Sequence, residues 1–114
     1  MVKSEVEFRS DQQIAADFLS YLQSDSAEHV VYEIEPTRLI GGMDARLYRY
    51  KLVGQEPRVF RILPPAREVE ELLHHQFVHQ TLNQCGLSAP VIHRVSGDKS
   101  VVGGVFAVID LLPG

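Results

Sequence analysis

Hydrophobic and polar positions in this chain repeat with two different periods, and the switches between them mark its elements. Ile14, Phe18, Tyr21 and Leu22 recur at helical spacing, and Ser10 with Gln13 has the form of a capping box. The spacing predicts an amphipathic helix over residues 11–23, broken by Ser24-Asp25-Ser26. Residues 30–39 read as a strand that contains Pro36, and proline cannot donate to a ladder, so this strand belongs at an edge or carries a bulge. Gly41-Gly42 is a turn. Residues 46–53 alternate cleanly, with Tyr48, Tyr50 and Leu52 on one face and Arg49 and Lys51 on the other.

Residues 54–57 form a hairpin connection into a third strand over 58–63, where Val59, Arg61 and Leu63 share a face. Pro64-Pro65 ends that strand because neither residue has an N–H to give. Residues 66–83 turn helical, with Val69, Leu72, Leu73, Phe77 and Leu82 as the apolar stripe and Gly86 in the position that closes helices. A fourth strand covers 91–95, Gly97-Asp98 is a turn, and a fifth strand covers 105–112, apolar nearly throughout and so expected to be buried on both faces. Helix, three strands, helix, two strands predicts an α+β fold: a five-stranded antiparallel sheet with one packed helix and an additional N-terminal helix. Residues 1–29 are an N-terminal helical lead-in and 30–114 the main unit.

Composition narrows the class without choosing a function. At 114 residues the chain makes one domain, with the apolar (45%) and charged (23%) fractions of an ordinary soluble protein. The net charge of -4, with both signs interleaved, argues against nucleic acid as a partner, which calls for a basic face. No strand interleaves aromatic and basic residues on one face as a sheet-based RNA binder does. No apolar run approaches the length of a membrane span, and the first ten residues lack the apolar core of a signal peptide. Cys85 is a single cysteine and forms no internal disulfide. A cytoplasmic location and no membrane partner are the expectation.

Three features can carry chemistry. Gly41 and Gly42 let backbone N–H groups approach an anion with no Cβ in the way, and Asp44 can brace the turn; the same residues also suit a plain hairpin. Arg61 places a cation in an apolar strand, where its head either meets an anion or reaches past the sheet edge to water. His75 and His79 lie four apart on a helix, a spacing that suits two metal ligands. The helix lacks the glutamate of the metalloprotease pattern and no third ligand is near, so solvated histidines are expected and no metal site is assigned. No catalytic triad or Cys/His pair is readable.

Four segments in order, IEPTRLIGGMDARLYRY, PRVFRILPP, TLNQCGLSAPVIHRV and VVGGVFAVIDLLPG, resemble the N-terminal lobe of the aminoglycoside phosphotransferase-like kinases. The resemblance covers residues 32–114; Gly86 to Pro90 follows the family's GxPxP run into strand four, with Ser88 where a first proline is common. It implies a kinase-like lobe fold and, for the family, ATP- and metal-dependent phosphorylation of a small-molecule hydroxyl. It further implies that Gly41, Gly42, Met43 and Asp44 form the loop over the nucleotide phosphates. Arg61 would take the place of the strand-three cation that holds the α- and β-phosphates, a role a guanidinium fork suits. Ile109 would back the adenine pocket, with the backbone of Asp110 and Leu112 at the adenine edge.

Two departures accompany the resemblance. The helix glutamate that orients the strand-three cation sits in an Arg-Glu pair in the family, and His74-His75 stands at that place; Glu71 lies one turn earlier. The His-x-Asp catalytic loop, its downstream Asn and the metal-binding Asp belong to the family's C-terminal lobe, and these 114 residues contain none of them. The expectation is therefore a truncated, nucleotide-facing lobe ending at the interlobe hinge, with no catalytic residue of its own and no activity alone. ATP binds weakly if at all, magnesium only with a C-terminal lobe, and that lobe or a partner chain covers the hinge surface. The alternative is a non-catalytic interaction module that keeps the lobe fold, its exposed fifth strand and hinge inviting a partner.

Overall fold

A computed structural model describes residues 9–25, 29–39 and 46–111. Among the described residues two helices and five strands follow one another: α1 (Asp11–Asp25), β1 (Tyr32–Leu39), β2 (Arg46–Leu52), β3 (Arg58–Ile62), α2 (Val69–Gln84), β4 (Ile92–Ser96) and β5 (Phe106–Asp110). The strands form one sheet in the order β1-β2-β3-β5-β4, every neighbouring pair antiparallel. The α+β architecture read from the sequence is the one observed.

Local chemistry explains most boundaries. The Gln13 N–H donates to Ser10 Oγ at 3.0 Å and caps α1, while the Gln13 side chain turns forward to Asp17 instead of closing the capping box. β1 lies at the sheet edge, and its register against β2 shifts twice, the second time between Ile34 and Thr37, around Pro36. α2 ends in a Schellman turn: Gly86 takes a φ of +88°, the Leu87 N–H donates to the Leu82 carbonyl at 2.9 Å and the Gly86 N–H to that of Asn83 at 3.1 Å. The start of α2 is later than the sequence suggests, because the Arg67 N–H donates to the Pro64 carbonyl in a turn that precedes it.

The sheet separates two cores. On one face α1 presents Ile14, Phe18 and Leu22 to Tyr48, Tyr50, Leu52, Phe60, Ile62, Phe106 and Val108. Phe18 stacks on Phe60 with ring centroids 4.0 Å apart and meets Tyr50 and Phe106 edge-on, so one helix residue ties three strands. On the opposite face α2 inserts Leu72 among Leu63, Ile92, Val105 and Ala107.

The α2 stripe is narrower than its sequence suggests. Leu72 is buried and Val69 packs beside it, but Leu73 and Phe77 are 46% and 65% exposed. The reason is placement: α2 lies against β4 and β5, not across the sheet. No described helix covers the half of that face over β2 and β3. β5 is likewise not an exposed strand; it sits between β3 and β4 with Phe106, Ala107 and Val108 buried, so any apolar surface at that end begins at Ile109. No helix is long and apolar enough to cross a membrane among the described residues.

Candidate functional site

Arg61 stands on the half-face that no described helix covers, at its border with α2. In β3 it lies opposite Leu47 of β2 and Ala107 of β5, and directly opposite residues of an antiparallel pair share a face. Val59, two residues back, is opposite Ile109, so Leu47, Val59, Ile109 and Arg61 form one partly exposed patch beside α2. Among the described residues Arg61 makes no hydrogen bond and no ion pair. A half-buried guanidinium with no acceptor is an electrostatic demand that water or a bound anion must meet.

The groups that feel Arg61 are on α2. Its charge helps lower the pKa of His75, after the larger effect of burial and against the opposing pull of Glu71. It also contributes to the lowered pKa of Glu71, where the larger cause is a hydrogen bond from Arg67. Arg67 Nη1 reaches both Glu71 carboxylate oxygens, at 2.6 and 2.7 Å, an i,i+4 pair at the start of the helix. The acid nearest in effect to the strand-three cation is thus Glu71, and it is already held by Arg67, a residue sequence reasoning did not single out. His75 stands within the same field as a group favoured in its neutral form. No motif could have revealed this, because it depends on which turn of α2 passes β3.

The other expected site residues divide. Gly41, Gly42, Met43, Asp44 and Leu112 lie outside the described residues. The strand positions that flank that connection are placed, however: Leu39 of β1 pairs with Leu47 of β2, and Leu47 with Arg61. Ile109 is on the patch, also touching the α2 core. Asp110 has its N–H donated to the Val91 carbonyl at 3.0 Å and its carboxylate hydrogen-bonded to His93, so a ligand at this edge would have to use its carbonyl.

His79 serves the fold: it donates Nδ1–H to the Pro90 carbonyl at 2.9 Å, fastening α2 to the segment before β4. Among the described residues no three His, Cys, Asp or Glu side chains are grouped to hold a metal ion. No family model, curated protein or solved structure matches the chain.

Proposed function

We propose that this domain is a nucleotide-facing lobe of an ATP-dependent O-phosphotransferase of the aminoglycoside phosphotransferase-like type, acting on a small-molecule hydroxyl together with a second lobe. The observation that supports this most is Arg61: a guanidinium in the third strand with no hydrogen-bond or ion-pair partner among the described residues, on the half-face that no described helix covers, opposite Leu47, which itself pairs with Leu39 of β1. A strand-three cation beside a helix acid is the arrangement kinases use to hold the α- and β-phosphates. Here Glu71 takes the acid's part, with Arg67 holding it in place.

Phosphoryl transfer also needs metal ions bridging the phosphates and a residue that orients the attacking hydroxyl. Both tasks belong to the second lobe in this reading, and the 114 residues alone are inactive. Arg61 contributes a permanent charge at the phosphates, and the glycine connection contributes backbone donors. The test is calorimetry of ATP binding, with and without magnesium, to the wild-type chain and to Arg61→Ala. Weak binding that Arg61→Ala abolishes is expected. No binding by folded protein, or equal binding by both chains, would remove the proposal.

A second reading has one observation in its favour. Leu73 and Phe77 are adjacent on α2 by helix spacing and both exposed, which suits an interaction module that kept the lobe fold. It predicts no nucleotide binding and concentration-dependent association that Phe77→Ser weakens in light scattering.

A further inference from the structure

The opposite face of the sheet contains a second cation without an acceptor. Arg58 opens β3, two residues before Phe60, and so points to the α1 side of the sheet, away from Arg61. Among the described residues its buried Nε has no hydrogen-bond partner and its guanidinium makes no ion pair. It lines a cavity of about 80 Å³ between the C-terminal end of α1 and the sheet, with Leu22, Val30, Tyr50, Gln55 and Arg94 in the wall.

The other cation of that cavity is held in place through its Nη1. Arg94 bonds the Asp25 carboxylate, donates to the Tyr21 hydroxyl at 3.3 Å, and lies 5.4 Å from the centre of the Tyr21 ring. These contacts fix one guanidinium at the cavity wall, while the other has no acceptor among the described residues. Two neutral donors stand in the same wall. Burial pushes the Tyr50 hydroxyl up to about 12, despite the charges of Arg58 and Arg94, so it keeps its proton; Gln55 brings a side-chain amide. The acids near by are committed elsewhere: Asp25 to Arg94, and Asp110, opposite Arg58 in register, to His93.

We propose that this cavity binds one small tetrahedral oxyanion, a phosphate or phosphoryl group, between Arg58 and Arg94. The volume exceeds what a single water needs, roughly 10–15 Å³ by the same measure, and is far below the several hundred Å³ of a nucleotide-sized pocket. Two guanidinium groups with a hydroxyl and an amide offer more donors than the two oxygens of a carboxylate accept in plane, and they suit the three oxygens of a phosphoryl group. The buried Nε of Arg58 then gains the acceptor whose absence is otherwise a desolvation cost. An anion seated there joins Arg58 of β3 to Arg94 of β4, which bonds Tyr21 and Asp25 of α1, so binding holds the N-terminal helix down. The site is independent of the nucleotide reading, which uses the other face.

Thermal unfolding of the wild-type chain in inorganic phosphate, against sodium chloride and sodium acetate at equal ionic strength, tests it. Phosphate at roughly five times its Kd should raise Tm by about 4–8 °C, with acetate no better than chloride. Arg58→Met, which keeps the stem and removes the donors, should abolish that rise, and Arg49→Ala, at an exposed cation on the opposite face, should retain it. In wild-type protein the Arg58 Nε–Hε resonance should titrate with phosphate, a readout that needs no variant. Phenyl phosphate distinguishes the source: a rise equal to that of inorganic phosphate assigns the phosphoryl group of an ester, and a smaller one the free ion. No phosphate-specific rise, a rise that survives Arg58→Met, or an unmoved Arg58 resonance would overturn the proposal.

Discussion

Tyr48 donates its hydroxyl proton to Asp11 Oδ1 across 2.6 Å, joining the centre of β2 to the first turn of α1. The Tyr48 ring is wholly buried under the helix, stacked 5.0 Å from Phe60, so the hydroxyl is the polar tip of a core residue and Asp11 accepts its proton. Tyr32 makes a parallel tie, donating to the Ala15 carbonyl at 2.7 Å. Two phenols from neighbouring strands thus fasten the same helix.

Tyr48→Phe keeps the ring and deletes the tie. Hydrogen bonds to charged groups contribute about 1.5–3 kcal/mol, and Asp11 can recover water when released, so a loss of about 1–2 kcal/mol is expected in urea unfolding. Asp11→Ala should lose a similar amount, and the double variant less than the sum, because both remove one bond. Additive losses would show that the two residues act separately.

Alkaline pH should loosen the same region. Burial raises Tyr32 above the usual phenol value and pushes Tyr48 and Tyr50 up to about 12. The unfolded chain begins to lose these protons near 10, while the native state still holds them. Their contribution is therefore fully present below pH 10 and is lost as pH rises from 10 towards 12. Urea midpoints at pH 8, 10 and 11, with tyrosinate absorbance read in parallel, check this. Ionisation of all four tyrosines at pH 10 with an unchanged midpoint would refute it.

Two glycines should fail for different reasons. A Cβ on Gly104 would stand 2.2 Å from the Leu63 carbonyl oxygen, a backbone atom in the segment where the Leu63 N–H donates to the Val105 carbonyl at 3.0 Å. Overpacking of this kind costs about 1–3 kcal/mol, and with backbone on the far side Gly104→Ala should reach about 2–3. Gly86 has open space around it but a φ of +88°, so Gly86→Ala should cost about 1–2 kcal/mol through conformation alone. Denaturant midpoints of the two variants rank them, and a Gly104→Ala protein as stable as wild type would contradict the close approach.

What could be read in the chain by itself was whatever neighbours along the chain decide. The alternation through 46–52 identified Tyr48, Tyr50 and Leu52 as one buried face because a strand puts every second side chain on the same side. Ser10 and Gly86 marked helix ends because capping is settled within a few residues, and Pro36 marked an edge because a missing N–H is a property of the residue. Arg61 on the face of Val59 and Leu63 followed from the same period of two.

Tertiary structure decided everything that depends on which element lies beside which. Leu73 and Phe77 belong to the apolar stripe by spacing, yet they are exposed because α2 covers only β4 and β5. Counting along the helix placed His74-His75 against the strand-three cation; the packing makes Glu71, held by Arg67, as much a part of its surroundings as His75. Arg58 and Arg94, far apart in sequence, line one cavity because β5 enters the sheet between β3 and β4 and α1 roofs the gap. Periodicity records only the side a residue faces, whereas a site is made of charges that the order of strands brings within reach of one another.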